Sequence, residues 1–399
     1  MTKQELFDKN IKIINEVLEK IERMCPNSVD MVAIGGSFAS GDYYEKSDLD
    51  LVIIRNDEEA KKIHKSFIMD DIGYDIYTQS WDDIKKISRY RNPYVSELKQ
   101  LDILYTRNSE ARDKYKEYQA ELNDNMNNKL LIKHNVSNIF SKVLNSYSEL
   151  LNANTLKDSY KTLGNFIKNS EDIVYLLNGK YVEHGIKGIP IEILKMKDLP
   201  NNFIKNYSRL FDCNSKEDIS EIIIEMTNDL ETYLIGKNID IKSKNPVIKR
   251  TNEKKEITFN ELTGTFEELY SNYYNKLKYA YEKNDKFLSF RTLIEAQNYY
   301  DFISDNYNID EIDIISKYNP NNLKQNFDVF VNSLKLWKSL YDENNKKIEI
   351  VTKPNEIYDN KKVFEVFDEE EKKFIEKLNK EGDDSIFVST VIKSMPILN

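Results

Sequence analysis

The sequence predicts an α+β fold: a small mixed-sheet domain followed by mostly α-helical bundle domains. Three observations predict it. Glycine is scarce, 11 of 399 residues, alongside 8 prolines, and that is under half the usual ~7% for glycine. Few positions are therefore free to turn, and long helices should dominate. Apolar runs of strand length cluster before residue 115, whereas beyond it apolar residues recur at helical spacing.

The elements follow in order. Residues 3–24 carry Leu6, Ile11, Ile13, Ile14, Val17, Leu18 and Ile21 mostly on one stripe and read as a helix, which Cys25-Pro26-Asn27 stops. Strands are predicted over 31–34, 48–55, 72–78 and 101–106, with a polar helix over 57–67. Residues 129–152 and 157–178 read as helices, the first with Ile132, Val136, Ile139, Val143, Tyr147 and Leu150 in phase. A loop carrying Gly185, Gly188 and Pro190 precedes further helices to about 235, and 237–256 is polar enough for a linker. Helices resume over 265–283, 286–305 and 322–342, and the tail holds short strands at 348–351 and 386–388 and a helix near 368–380. The domain boundaries expected from this pattern are 1–115, 116–240 and 257–399.

Bulk properties exclude several classes. The formal net charge is −10, which disfavours broad nucleic-acid binding and suits a cationic small molecule. Cys25 and Cys213 stand alone, without a CxxC or a Cys/His cluster, so they read as buried thiols of a cytoplasmic protein. The N-terminal stretch is amphipathic and not a signal peptide. No apolar run approaches ~18 residues, so no membrane span is expected.

The chemistry concentrates in residues 34–54, IGGSFASGDYYEKSDLDLVII, where three of the glycines, Gly35, Gly36 and Gly41, fall close together. Gly36-Ser37 follows a strand and opens a turn or short helix, whose outward N–H groups can cradle a phosphate. No Gly-Lys-Ser/Thr follows, so this is not a P-loop, and it is not a GxGxxG fingerprint. Ser47-Asp48-Leu49-Asp50 then opens the second strand. Residues two apart on a strand point the same way, so Asp48 and Asp50 project together, with Leu49, Leu51 and Ile53 on the other face. Adjacent carboxylates repel one another unless a cation lies between them, and Mg²⁺ with oxygen ligands is the usual answer. Asp75, between Tyr74 and Ile76 on the next strand, joins them if the two strands are neighbours. Three carboxylates could hold two metal ions.

Gly-Ser followed by Ser-Asp-x-Asp-Leu, with a lone Asp on a later strand, resembles the DNA polymerase β-type nucleotidyltransferase superfamily. The segment 34–51 is similar to the antibiotic (kanamycin-type) and minimal nucleotidyltransferases. The resemblance implies that Gly36 and Ser37 hold nucleotide phosphates; Ser40 can donate a further hydrogen bond to phosphate, and Ser47 is expected among the nucleotide-binding residues. It implies that Asp48 and Asp50 bind Mg²⁺ and that Asp75 is the third carboxylate. Many relatives carry Arg or Thr where Ser40 stands, so a possible cation is lost here. The short interval from Asp50 to Asp75 requires a brief connecting helix.

The resemblance also implies a general base from outside the triad. On the 157–178 helix, Glu171 lies roughly 80° from the apolar stripe and Asp172 roughly 180°, which favours Glu171 as the base facing another domain. Lys187, beyond Leu176-Leu177-Asn178-Gly179-Lys180-Tyr181, could reach phosphate, although a helix end capped by Gly179 explains the same segment. Tyr270, Tyr273, Tyr274, Tyr279, Tyr281, Tyr299 and Tyr300 could line a pocket or simply pack helices.

The expected activity is Mg²⁺-dependent transfer of a nucleoside monophosphate, AMP from ATP or its counterpart from another nucleoside triphosphate, to a hydroxyl of a small molecule. An aminoglycoside-like antibiotic is one such acceptor, and pyrophosphate is the by-product. Two alternatives stay open: a protein-modifying nucleotidyltransferase of toxin–antitoxin type, and a non-catalytic nucleotide-binding regulator. A homodimer is compatible with the sequence.

Overall fold

The computed structural model describes residues 2–41, 43–45, 47–70, 72–241, 254–257, 262, 264–346 and 386–389. Helix α1 (Lys3–Met24) starts at a capping box, with Thr2 and Glu5 each accepting from the other's backbone N–H. Strands β1 (Val29–Ile34), β2 (Leu49–Arg55), β3 (Lys65–Met69), β4 (Ile72–Ser80), β5 (Asp102–Thr106) and β6 (Ile386–Ser389) form one mixed sheet in the order β5-β1-β2-β4-β3-β6. Only β2 and β4 are parallel, and their register sets Asp50 beside Asp75.

Alternation along the strands divides the sheet into two faces. Leu49, Leu51 and Ile53 join Val32, Ile34, Tyr74 and Ile76 in a core closed by the apolar stripe of α1. The opposite face carries Met31 and Ile54 into a second core shared with the helices. That second face also presents Asp50 and Asp75, so the carboxylates look toward the helical part of the chain.

Helices α3 (Trp81–Ser88) and α4 (Ser96–Lys99) precede β5, and α5 (Ser109–Asn127) carries the chain out of the sheet within one continuous helix. The bundle follows with α6 (Lys129–Asn152), α7 (Leu156–Leu177), α8 (Gly185–Leu194), α9 (Phe203–Arg209) and α10 (Lys216–Gly236). Beyond it lie α11 (Thr265–Leu269), a π-helical turn (Tyr270–Tyr274), α12 (Asn275–Lys283), α13 (Lys286–Asn306) and α14 (Leu323–Lys346). The α+β class is as the sequence predicts.

Two local expectations are corrected. The polar helix over 57–67 is a 3₁₀ helix only from Glu58 to Ile63, and Lys65–Met69 is a buried strand. Pairing with β4 and burial on both faces override the polar local pattern there. The loop expected around Gly185, Gly188 and Pro190 is helix α8. Gly185 begins it at φ +61°, and Pro190 lies inside it, without an N–H for the helical bond at that position. Ile189 and Ile193 then anchor it in the core. The expected strand at 348–351 and helix at 368–380 lie outside the described residues.

Candidate functional site

Gly35, Gly36 and Asp50 form the centre of the site. The Gly35 N–H donates to the Asp50 carbonyl at 2.9 Å. The chain then turns into the short helix α2 (Gly36–Ser40), with Gly36 at φ +57°. A Cβ on Gly36 would stand 1.9 Å from Oδ2 of Asp50. Glycine is needed here twice over, for the left-handed backbone and for the space that the carboxylate fills. The Ser37 Oγ is buried and has no partner, which leaves a donor at the head of α2 for a ligand oxygen.

Asp50 is flanked by Asp75 in register across the parallel strands. Burial first, then the charges of Asp48 and Asp75, hold the Asp50 carboxyl far above its usual range. Asp75 is pushed up to about 6 by burial and by Asp48, against the pull of the Ser66 hydroxyl, which donates to its Oδ1 at 2.9 Å. Asp48 is half-buried, and its charge reaches Asp50, Asp75, Tyr44 and Lys187 alike.

Among the described residues, no three His, Cys, Asp or Glu side chains are drawn together as a finished metal site. The groups present nonetheless fit a hard divalent cation. All are oxygen donors, and a cation would relieve the repulsion among their charged forms. Asp48, Asp50 and Asp75 are the residues that would hold it.

The remaining expected residues fall into three groups. Ser40 and Ser47 are in place, with local bonds. The Ser40 hydroxyl donates to the Ser37 carbonyl at 3.2 Å, and the Ser47 Oγ accepts from the Tyr44 N–H at 3.0 Å, closing the turn before Asp48. Lys187 is brought to the site from α8. Its ammonium lies 5.0 Å from the Tyr44 ring and 4.8 Å from the Tyr279 ring, and burial lowers its pKa while Asp48 opposes that. Glu171 is not brought there, which corrects its expected role as base. It is buried in the bundle, accepting from the Tyr207 hydroxyl at 2.6 Å and pairing with Arg291 at 2.8 Å. Asp172, placed by helix phase on the far face, is buried too. Helix α7 is packed on several sides, by α6, α8, α10 and α13, so a single stripe does not describe it.

The structure adds residues that the sequence did not single out. Glu268, at the end of α11, is pushed up to about 7 by burial and by the charge of Asp75, with the Tyr299 hydroxyl working the other way. Lys276, on α12, acts on Asp50, Asp75 and Lys187. Glu97, from α4, is raised by burial and reaches Asp50. One signal for this cover was present in the sequence. Gly73 sits inside a strand, where glycine marks close approach of another backbone, and a Cβ there would lie 2.3 Å from Cβ of Ser271. Of the tyrosine run, Tyr274 and Tyr281 pack on Phe327 and Tyr273 on Phe330, while Tyr279 faces Lys187.

Gly35, Gly36 and Ser37 thus stand beside the Asp50 and Asp75 carboxylates of two adjacent parallel strands. Residues 12–142 match the family model described as nucleotidyltransferase domain. That match supports nucleotidyl transfer as the general chemistry and a nucleoside triphosphate as substrate. A similar solved structure is that of a nucleotidyltransferase-like protein from Exiguobacterium sibiricum 255-15, at 13% identity over 54% of this chain and 72% of that one. Its TM-score is 0.35, too distant to bear on fold or function. No curated protein matches the chain. Among the described residues, no helix is long and apolar enough to cross a membrane.

Proposed function

We propose that this chain is an Mg²⁺-dependent nucleotidyltransferase of the antibiotic-modifying kind. It transfers AMP from ATP to a hydroxyl of a small, amine-bearing acceptor such as an aminoglycoside. The observation that carries the reading is the Asp50–Asp75 register, with Gly36 notched against Asp50.

In this reading the α2 N-terminus and the Ser37 hydroxyl hold phosphate oxygens, while Asp48, Asp50 and Asp75 hold the metal. Bound Mg²⁺ would supply charge neutralisation of the triphosphate. Glu268 accepts the proton of the acceptor hydroxyl, because a carboxyl that titrates near 7 is matched to that task at neutral pH. The acceptor oxygen bonds to the α-phosphorus, the bond from that phosphorus to the bridging oxygen breaks, and pyrophosphate leaves with the electron pair. The net charge of −10 favours a cationic acceptor.

The test is a panel of amine-bearing alcohols incubated with Mg²⁺ and each of the four nucleoside triphosphates. Pyrophosphate release together with a nucleoside monophosphate added to an acceptor is the expected result. Label from ATP appearing in protein bands instead would favour the protein-modifying alternative.

A further inference from the structure

We propose that Ser66 is a positioning residue for the metal-holding carboxylates: its hydroxyl holds one oxygen of Asp75 and thereby turns the other toward a divalent cation shared with Asp50. This rests on the assignment of Asp50 and Asp75 to the metal in the reading above. It gives a role to β3, which stands where the sequence predicts the end of a polar helix.

Ser66 is buried, and its hydroxyl donates to Oδ1 of Asp75 at 2.9 Å. The two residues face each other in register across the antiparallel β3–β4 pair. On the other side of β4, Asp75 is in register with Asp50 of β2. Asp50, Asp75 and Ser66 therefore form one row across adjacent strands, on one face of the sheet. The neighbouring pair fixes that row. Phe67 and Tyr74 are register partners on the opposite face, with ring centroids 4.8 Å apart and planes 6° apart. Both rings lie in the core that α1 closes. A slip of one residue would carry the β3 ring out of that core, so Ser66 is held opposite Asp75. On its far side β3 pairs with β6, so the hydroxyl does not sit on an open sheet edge.

The chemistry suits the geometry. Rotation of an aspartate carboxylate about χ2 is broad and roughly two-fold, so one bond to Oδ1 selects one orientation. A serine hydroxyl does this with a single donor and no charge. A lysine or arginine in its place would repel the cation that the carboxylate is meant to hold. Asp50 is fixed by a different neighbour, through its contact with Gly36. Hydrogen-bond partners that orient a metal ligand typically change metal affinity about 10–100-fold.

The experiment is a double-mutant cycle on the intact chain, read as Mn²⁺ affinity from the electron paramagnetic resonance of free Mn²⁺, without nucleotide. The chains compared are the wild type, Ser66→Ala, Asp75→Asn and the double variant, with circular dichroism to check each fold. The proposal predicts that Ser66→Ala binds Mn²⁺ about tenfold or more weakly than the wild type, and that Ser66→Ala adds no further loss in the Asp75→Asn background. Ser66→Cys, close in shape but a weaker donor, should fall between wild type and Ser66→Ala, and it carries the comparison if the alanine variant does not fold. Equal affinity in wild type and Ser66→Ala, or no binding by wild type, overturns the proposal. A loss that persists in full in the Asp75→Asn background also overturns it, since Ser66 would then act through packing and not through Asp75. The nucleotidyltransferase reading fails separately, if the cycle comes out as predicted while no nucleoside triphosphate supports transfer to any acceptor.

Discussion

Gly36 and Asp50 touch across the site so closely that a Cβ on the glycine would stand 1.9 Å from the Oδ2 of the aspartate. The Gly36 turn and the Asp50 carboxylate are therefore one unit of structure, and changing one moves the other. Gly36→Ala must both strain a left-handed backbone and displace Asp50. The expected outcome is a loss of about 1–2 kcal/mol in stability, from the positive φ, with transfer reduced far beyond what that loss explains. Urea unfolding and initial rates on the same preparation check it.

Glu268 approaches Asp75 from α11, a part of the chain beyond the matched domain. If it takes the acceptor's proton, Glu268→Gln lowers kcat by about 10²–10⁴-fold, the usual contribution of a general base. The limb of the pH–rate profile near 7 should disappear in the variant. An unchanged profile with a lower rate would mean that Glu268 only shapes the pocket.

Glu171 has the opposite character. Glu171→Ala leaves Arg291 buried and unpaired, and the expected cost is about 3–5 kcal/mol. The folded fraction should keep its turnover per molecule, because the partners of Glu171 are Tyr207 and Arg291 and not the carboxylates of β2 and β4. Active-site titration beside thermal unfolding separates the two effects.

Asp172 adds, from within the bundle, to a pH dependence of stability that the raised carboxyls of Asp75 and Glu268 share. Burial pushes its carboxyl up to about 7, with Lys168, Arg291 and Lys142 opposing and Glu171 adding to the shift, while Tyr90 and Tyr94 pack nearby. The folded chain thus keeps a proton that the unfolded chain releases near 4. Between those values the folded state binds more protons, so stability falls as pH rises from about 4 to 7. Asp172→Asn should flatten this slope in denaturant titrations across pH 5–8 and raise stability at pH 8.

The core of the site was legible because its pattern is local. Glycine scarcity made the Gly35-Gly36-Gly41 cluster stand out, and strand alternation alone set Leu49, Leu51 and Ile53 opposite Asp50. What was not legible depends on packing. Lys65–Met69 lacks alternation because both of its faces are buried. Gly185, Gly188 and Pro190 speak for a loop until Ile189 and Ile193 find the core. Glu171 was misjudged because α7 is buried on several sides, so distance from one apolar stripe says nothing of exposure. Glu268 comes from a helix packed on β3, and the turn that follows it sets Ser271 against Gly73, a contact between residues nearly two hundred positions apart.

The most direct test of the central claim is Asp50→Asn assayed for Mg²⁺-dependent pyrophosphate release, with the fold checked by circular dichroism. Removing a buried charge that Asp48 and Asp75 repel should leave the metal-free protein as stable as before or more so. Release should fall at least about a thousandfold, and the fall should lie in kcat, not in KM alone. A folded Asp50→Asn protein that turns over at the wild-type rate would contradict the assignment of the β2–β4 carboxylates as the catalytic centre.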